Sequence, residues 1–403
     1  MKTISGGVCA PKGFKAGGIW CGIKATSKKK DLALIYSEKS CVAAAMFTTN
    51  RVKAACVLVS QKHIAGGKLH AVIANSGNAN ACTGEAGIKA ARRMAELAAD
   101  EFAISPETVV VASTGVIGVP LPIAAIENSI DALANSLRGD EAGHAAALEA
   151  IMTTDTRKKE ISVEIEGGAR IGGMVKGSGM IHPNMATMLC FLTTDVSISR
   201  ELLEASLQQA VRRSFNRVTV DGDTSTNDMI LIMANGASGL IVAAGSAEYE
   251  AFNLALEAAC VSLSKAMARD GEGATKLVTV TVNGAADEKT AEVLAKSVAA
   301  SSLVKAACFG ADANWGRILC AMGYSGAEFD PDRTSVSFKS NTGEIAVCSN
   351  GGPVPFSEDK AKAVLSEEEI EILINAGGGS GSASAWGCDL TYDYVKINGD
   401  YRS

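Results

Sequence analysis

Thr187 is the residue whose neighbours best suit it to act as a nucleophile. It stands in Lys176-Gly-Ser-Gly-Met-Ile-His-Pro-Asn-Met-Ala186-Thr187-Met-Leu189. There a glycine-punctuated run, which needs unusual backbone angles, leads through Pro183 to an Ala-Thr bond. The residues from Thr187 to Thr194 then turn strand-like. A threonine held between a strained turn and a buried strand can attack the carbonyl before it. Cleavage there leaves Thr187 as a new N-terminus carrying a hydroxyl and an α-amine, a nucleophile and base on one residue. With a reference pKa of roughly 7.7–8.0, such an amine is partly a neutral base near pH 7. The plain alternative is that Ala186-Thr187 only begins a strand.

Two further groups have matching chemistry. Ser113-Thr114-Gly115 ends a strand and could aim backbone N–H groups and a hydroxyl at a developing oxyanion, or simply form a strand-to-loop turn. Glu272, between glycines in Asp270-Gly-Glu-Gly-Ala-Thr-Lys276, could bind a substrate ammonium or sit solvated in a turn.

Other chemistries fit poorly. Gly172-Gly-Met-Val-Lys-Gly-Ser178 resembles a phosphate loop only in part, because Lys176 precedes the last glycine. The four histidines (His63, His70, His144, His182) are not spaced as zinc ligands. Asp221-Gly-Asp-Thr-Ser-Thr-Asn-Asp228 has Thr226 where a calcium loop needs glycine and lacks the closing glutamate, so it reads as a polar turn entering a buried strand. No metal and no cofactor is expected.

The elements that must position these residues alternate between strands and helices. Strands are expected at 32–36, 55–59, 70–74, 108–112, 161–165, 187–193, 229–233, 276–282, 303–308 and 395–397. Helices are expected at 84–102, 123–137, 201–215, 247–268, 288–300 and 367–375. Ser199 and Ser366 precede acidic residues in the manner of N-caps. The tract Ala376-Gly-Gly-Gly-Ser-Gly-Ser-Ala-Ser384 is either a flexible connector, the favoured reading, or a loop that lets a ligand approach. With 403 residues, 47% hydrophobic and 20% charged, the chain suits a tightly packed α/β protein.

Eleven scattered cysteines without a CxxC pair suit reduced thiols, hence the cytoplasm. No signal peptide or membrane span is expected, and a net charge of −6 gives no footprint for nucleic acid. The charge divides unevenly about the Ala-Thr bond, with +5 on residues 1–186 and −11 on 187–403. Opposite signs favour two fragments that stay together.

Several segments, in order along the chain, together resemble the ornithine acetyltransferase (ArgJ) family. They are Ala74-Asn-Ser-Gly-Asn-Ala-Asn80, Ser113–Gly115, Met152-Thr-Thr-Asp-Thr156, Lys176–Leu189, Asp221–Asp228, Gly310-Ala-Asp-Ala-Asn-Trp-Gly-Arg317, and the tail Trp386-Gly-Cys-Asp-Leu-Thr391 through Asn398 to Ser403. The resemblance implies an α/β (α+β) fold with a layered αββα-like sandwich. It implies self-cleavage between Ala186 and Thr187 into fragments 1–186 and 187–403, two of each forming a heterotetramer. It further implies that Thr187 takes the acetyl group of N2-acetyl-L-ornithine and passes it to L-glutamate. Thr114 and Gly115 would form the oxyanion hole. Thr153, Lys176, Thr187, Glu272, Asn398 and Ser403 would bind substrate, with Thr154 and Thr156 as neighbours competing for the role of Thr153. Acetyl-CoA as an alternative donor is left open. Two rival functions stand beside this one: an N-terminal-nucleophile amidohydrolase or aminopeptidase, and a non-catalytic amino-acid-binding protein.

Overall fold

The computed structural model describes residues 1–182 and 188–400. Most of the strands follow from alternation of side chains between two buried faces. In Leu189–Thr194, Leu189 and Phe191 face one core while Cys190 and Leu192 face another. In Met229–Ala234, Met229, Leu231 and Met233 oppose Ile230 and Ile232 in the same way. A strand buried on both faces must be apolar throughout.

These two strands pair in parallel inside a nine-stranded sheet. Arg170–Lys176 pairs antiparallel with 189–194. The long strand Leu32–Phe47 serves two partners. Its second half pairs with 229–234 and its first half with Phe14–Ile19, while Lys68–Asn78 pairs with 32–36 and, past an irregularity between Tyr36 and Cys41, with Cys41 and Val42. Lys68–Asn78 in turn pairs in parallel with Val109–Val116.

That break lets one half of the sheet fold over the other. Ile35, Val72 and Val110 share an inner core with Phe191 and Leu231. The outer face of the 189–194 half is covered by the helices Arg200–Arg213 and Ala247–Arg269, through Leu203, Leu207, Phe252 and Leu256. The outer face of the other half is covered by Ala55–Ala65 and Gly84–Phe102, through Val57, Met94 and Ala98. Helix, sheet, sheet, helix is the layered αββα arrangement expected. A six-stranded sheet adds a separate core, in which Val280, Phe338 and Ile372 pack against the helices Glu288–Ala300, Trp315–Gly323 and Glu358–Leu365.

Several expected elements are corrected. Residues 55–59 belong to the helix 55–65, 303–308 to the helix Ser302–Phe309, and 395–397 to the helix Tyr392–Asp400. Residues 369–375 form a strand, with Ile370, Ile372 and Ile374 buried and Glu371 and Leu373 between them on the more open face. Residues 123–137 hold two short helices, Ile123–Glu127 and Ile130–Asn135. Ser199 does cap its helix, accepting from Leu202 N, but Ser366 stands at the C-terminal end of the helix 358–365. The tract 376–384 is no simple connector, because Gly381–Cys388 is a strand paired with Leu277–Ala285. A Cβ on Gly381 would come within 2.2 Å of the Asp287 backbone, so close packing against the next helix explains that glycine. No helix among the described residues is long and apolar enough to cross a membrane.

Candidate active site

One cavity of about 320 Å³ gathers Thr114, Gly115, Thr153, Lys176, Glu272 and Asn398, which lie far apart in sequence. Each is delivered by the end of an element. Thr114 and Gly115 close the strand 109–116, Lys176 is the last residue of the strand 170–176, and Thr153 follows the helix Glu141–Ile151. Glu272 lies in the turn after the helix 247–269, and Asn398 projects from the exposed helix 392–400. Ala186, Thr187 and Ser403 lie outside the described residues. The described residues that flank 183–187 are hydrogen-bonded to the run Asp221–Asp228. Asp221 accepts from Met180 N at 2.6 Å and Ile181 N at 2.8 Å, and Asp228 accepts from Met188 N at 2.9 Å.

Gly115 must be glycine. Its φ is +135°, and a Cβ there would stand 2.4 Å from the Gly77 carbonyl carbon and 2.5 Å from Asn78 N. The parallel neighbour 68–78 therefore approaches too closely for any side chain. Gly115 thus presents bare backbone in the cavity wall. Beside it the Lys176 ammonium donates to Thr114 Oγ1 at 3.2 Å. Lys176 is buried, which lowers its pKa, while Asp155, Asp228 and Glu272 favour its charged form. With one side-chain hydrogen-bond partner among the described residues, the ammonium has further donors to offer an anionic ligand.

Glu272 is not a solvated turn residue. Its carboxylate accepts from Asn398 Nδ2 at 2.9 Å, and its N–H donates to Ser178 O at 2.9 Å. Gly179 makes room for it, since a Cβ there would lie 2.3 Å from Glu272 Oε2. Thr153 and Thr154 both line the cavity, whereas the Thr156 hydroxyl is bonded to Asp270.

The structure adds lining residues that sequence reasoning did not assign to the site: Asp221, Asp223, Asn227 and Tyr394. Burial pushes the Asp221 carboxyl up, and burial with the charges of Asp221 and Glu272 pushes the Tyr394 phenol up. The cavity thus holds one ammonium against three carboxylates. Asp228, buried immediately behind it, has its carboxyl pushed well up by burial, and its Oδ2 has no hydrogen-bond partner among the described residues. The signal for these acids was present in the run Asp221–Asp228, which sequence reading took as a polar turn and as a family segment without giving its residues a role.

Other segments singled out in the sequence have local structural roles. In 74–80, Asn78 Nδ2 donates to Val119 O and Pro120 O, and its Oδ1 accepts from Asn80 N. In 310–317, Asn314 caps the helix 315–323, and Arg317 donates to Leu303 O. Gly172 and Gly173 lie in a strand, where a Cβ on Gly172 would meet Gly7 O at 2.0 Å.

The chain is similar to known proteins over its whole length. Residues 15–403 match the ArgJ family. The arginine biosynthesis bifunctional protein ArgJ 1 of Clostridium acetobutylicum is 52% identical over 394 residues, covering 97% of this chain and 96% of that protein. The arginine biosynthesis bifunctional protein ArgJ of Symbiobacterium thermophilum is 53% identical over 408 residues and is covered end to end. A crystal structure of arginine biosynthesis bifunctional protein ArgJ from Bacillus halodurans superposes with a TM-score of 0.50 at 46% identity, covering 98% of that chain but 52% of this one. With this extent of match, the chain belongs to the ArgJ family.

Proposed function

We infer that this protein is an N-acetyltransferase of arginine biosynthesis that moves the acetyl group of N2-acetyl-L-ornithine to L-glutamate. The observation that carries this reading is the convergence of Thr114, Gly115, Thr153, Lys176, Glu272 and Asn398 on one cavity. Lys176 suits the α-carboxylate shared by both substrates, and Glu272, with Asp221 and Asp223 near it, suits the side-chain ammonium of ornithine.

Thr187 is the nucleophile in this proposal. Its hydroxyl oxygen attacks the acetyl carbonyl and its proton passes to the α-amine. The oxyanion is met at Thr114 and Gly115, and collapse expels ornithine, whose leaving nitrogen takes the proton. The glutamate amine then attacks the acetyl ester by the reverse sequence, giving N-acetylglutamate. Because the same acetyl group moves between two α-amines, one pocket can serve both halves, provided water is excluded from the ester.

Self-cleavage at Ala186–Thr187, giving fragments 1–186 and 187–403, is part of the proposal, as is assembly of two copies of each. Its support is that a solved relative, 98% covered, corresponds to only 52% of this chain, as expected of a precursor cut near its middle.

Assaying acetyl transfer from N-acetyl-ornithine to glutamate tests the function. Acetate release exceeding N-acetylglutamate would make the protein a hydrolase, and binding without turnover would make it a binding protein. Supplying acetyl-CoA in competition decides whether it too is a donor. Thr187→Ala is expected to leave a single band near 41 kDa and no activity, whereas Thr187→Ser cleaves slowly. An Ala variant that still splits at this bond overturns the intramolecular mechanism.

A further inference from the structure

Beneath the cavity lies a cluster of charges that the reaction itself does not use. Lys159 Nζ stands 2.5 Å from Asp155 Oδ1 and 2.5 Å from Asp270 Oδ2, and the three side chains are 1%, 0% and 2% exposed. Such a cluster is a poor device for stability alone. Removing charges from water costs several kcal/mol per ion, and apolar residues of similar volume often serve as well. What it provides is direction.

Among the described residues, the other hydrogen bonds of the two carboxylates go to 153–157 and 177–178, segments that carry or adjoin Thr153 and Lys176. Asp155 Oδ2 accepts from Thr153 N at 2.9 Å, and its Oδ1 accepts from Gly177 N at 2.7 Å, the residue after Lys176. Asp270 accepts from Thr156 N and, at 3.4 Å, from Ser178 Oγ. Ser178 O in turn holds Glu272 N, two residues beyond Asp270. Burial opposes the charge on Asp155, yet Lys176 and Lys159 outweigh it and hold this carboxyl well below the ordinary range.

We propose that Lys159, Asp155 and Asp270 are positioning residues, a buried ionic hub that sets the loop of Thr153, the strand end of Lys176 and the turn of Glu272 at fixed distances from one another. The inference rests on the acetyl-transfer reading of the cavity. It has one added consequence. Asp155 and Lys159 precede the proposed cut and Asp270 follows it, so the hub joins the two fragments where the substrate binds.

The test uses the purified full-length protein. In Lys159→Met, KM for N-acetyl-ornithine is expected to rise about tenfold or more while kcat stays within about threefold, the signature of lost ground-state positioning. Lys159→Arg, whose guanidinium can bond both carboxylates, is expected to restore KM to within about threefold of the parent. A Lys159→Met enzyme with the parent KM, whatever its melting temperature, overturns the proposal, and so does a fall in kcat with KM unchanged. Where Lys159→Met does not yield folded protein, Asp155→Asn decides by the same KM, an unchanged value again counting against the hub. Failure of the parent reading shows separately, as absence of acetyl transfer by the unmodified protein. Calorimetric binding of ornithine to parent and Lys159→Met then reads the hub directly: weaker binding by the variant supports it, and equal binding refutes it.

Discussion

Gly115 shows how little freedom this end of the cavity has. Its neighbours across the strand pair, Gly77 and Asn78, leave no space for a methyl group. Gly115→Ala must push the strands 68–78 and 109–116 apart, at a cost of about 1–3 kcal/mol. If the backbone here meets the oxyanion, kcat should also fall by roughly 10²–10³-fold. A variant with a lowered melting temperature but unchanged kcat would remove Gly115 from the chemistry and leave it a packing residue. Thr114, Gly115 and Glu272 stood out in the sequence because each lies beside glycine or at the end of an apolar strand, whereas Lys176 was marked only by the family resemblance. Asp155 and Asp270 were not. Their role depends on a lysine that meets them only after folding.

The element closing the cavity, the helix 392–400, has no buried residue, and Tyr392 and Val395 are 84% and 69% exposed. Its ties to the body include the Asn398–Glu272 bond and Thr391 Oγ1, which donates to Gly273 O and accepts from Tyr394 N. Ending the chain at Thr391 should therefore change the melting temperature little while raising KM for N-acetyl-ornithine about tenfold, the worth of roughly 1.4 kcal/mol of binding. An unchanged KM would show that the helix only covers the site. The same exposure explains why 395–397 read as a strand: without a buried face there is no period of 3.6 to detect. The strand 369–375 failed for a different reason. Its alternation of Ile370, Ile372 and Ile374 is a clear period of two, but the preceding Ser-Glu-Glu resembled a helix start. The helix 302–309 hid in the reverse way, an apolar run whose cap, Ser301 accepting from Val304 N, lies outside it.

At the scale of the molecule, residues before and after the proposed cut are interleaved. The strand 170–176 lies against 189–194, the strand 32–47 lies against 229–234, and Asn227 Nδ2 donates to Ala79 O at 2.6 Å and Ser113 O at 2.7 Å. The charges of +5 and −11 add attraction, but salt screens them within about 8–10 Å, whereas shared sheets are indifferent to salt. Cleaved protein should thus elute as one species at 1 M salt and separate only in denaturant. Elution of separate fragments at high salt would show that charge holds them. Stability should also respond to pH through Asp228, whose carboxyl is raised by burial. Its contribution is complete below the unfolded value of about 3.9 and is lost as pH rises through the raised folded value. Asp228→Asn should flatten the decline in melting temperature above about pH 4, and an unaltered profile would count against it.

The pairing of 170–176 with 189–194 has a consequence for how such a protein can be made. In the uncut chain these strands meet by closing a short loop, a first-order event with a small entropic penalty. Once the bond between them is broken, the same meeting requires two separate polypeptides to find each other, each carrying strands with no partner of its own. If the proposed cut is made, continuity of the chain acts as an assembly template that is discarded after use. Denatured, cleaved protein should refold at a rate that depends on its concentration, and unpaired strand edges should divert part of it into aggregates.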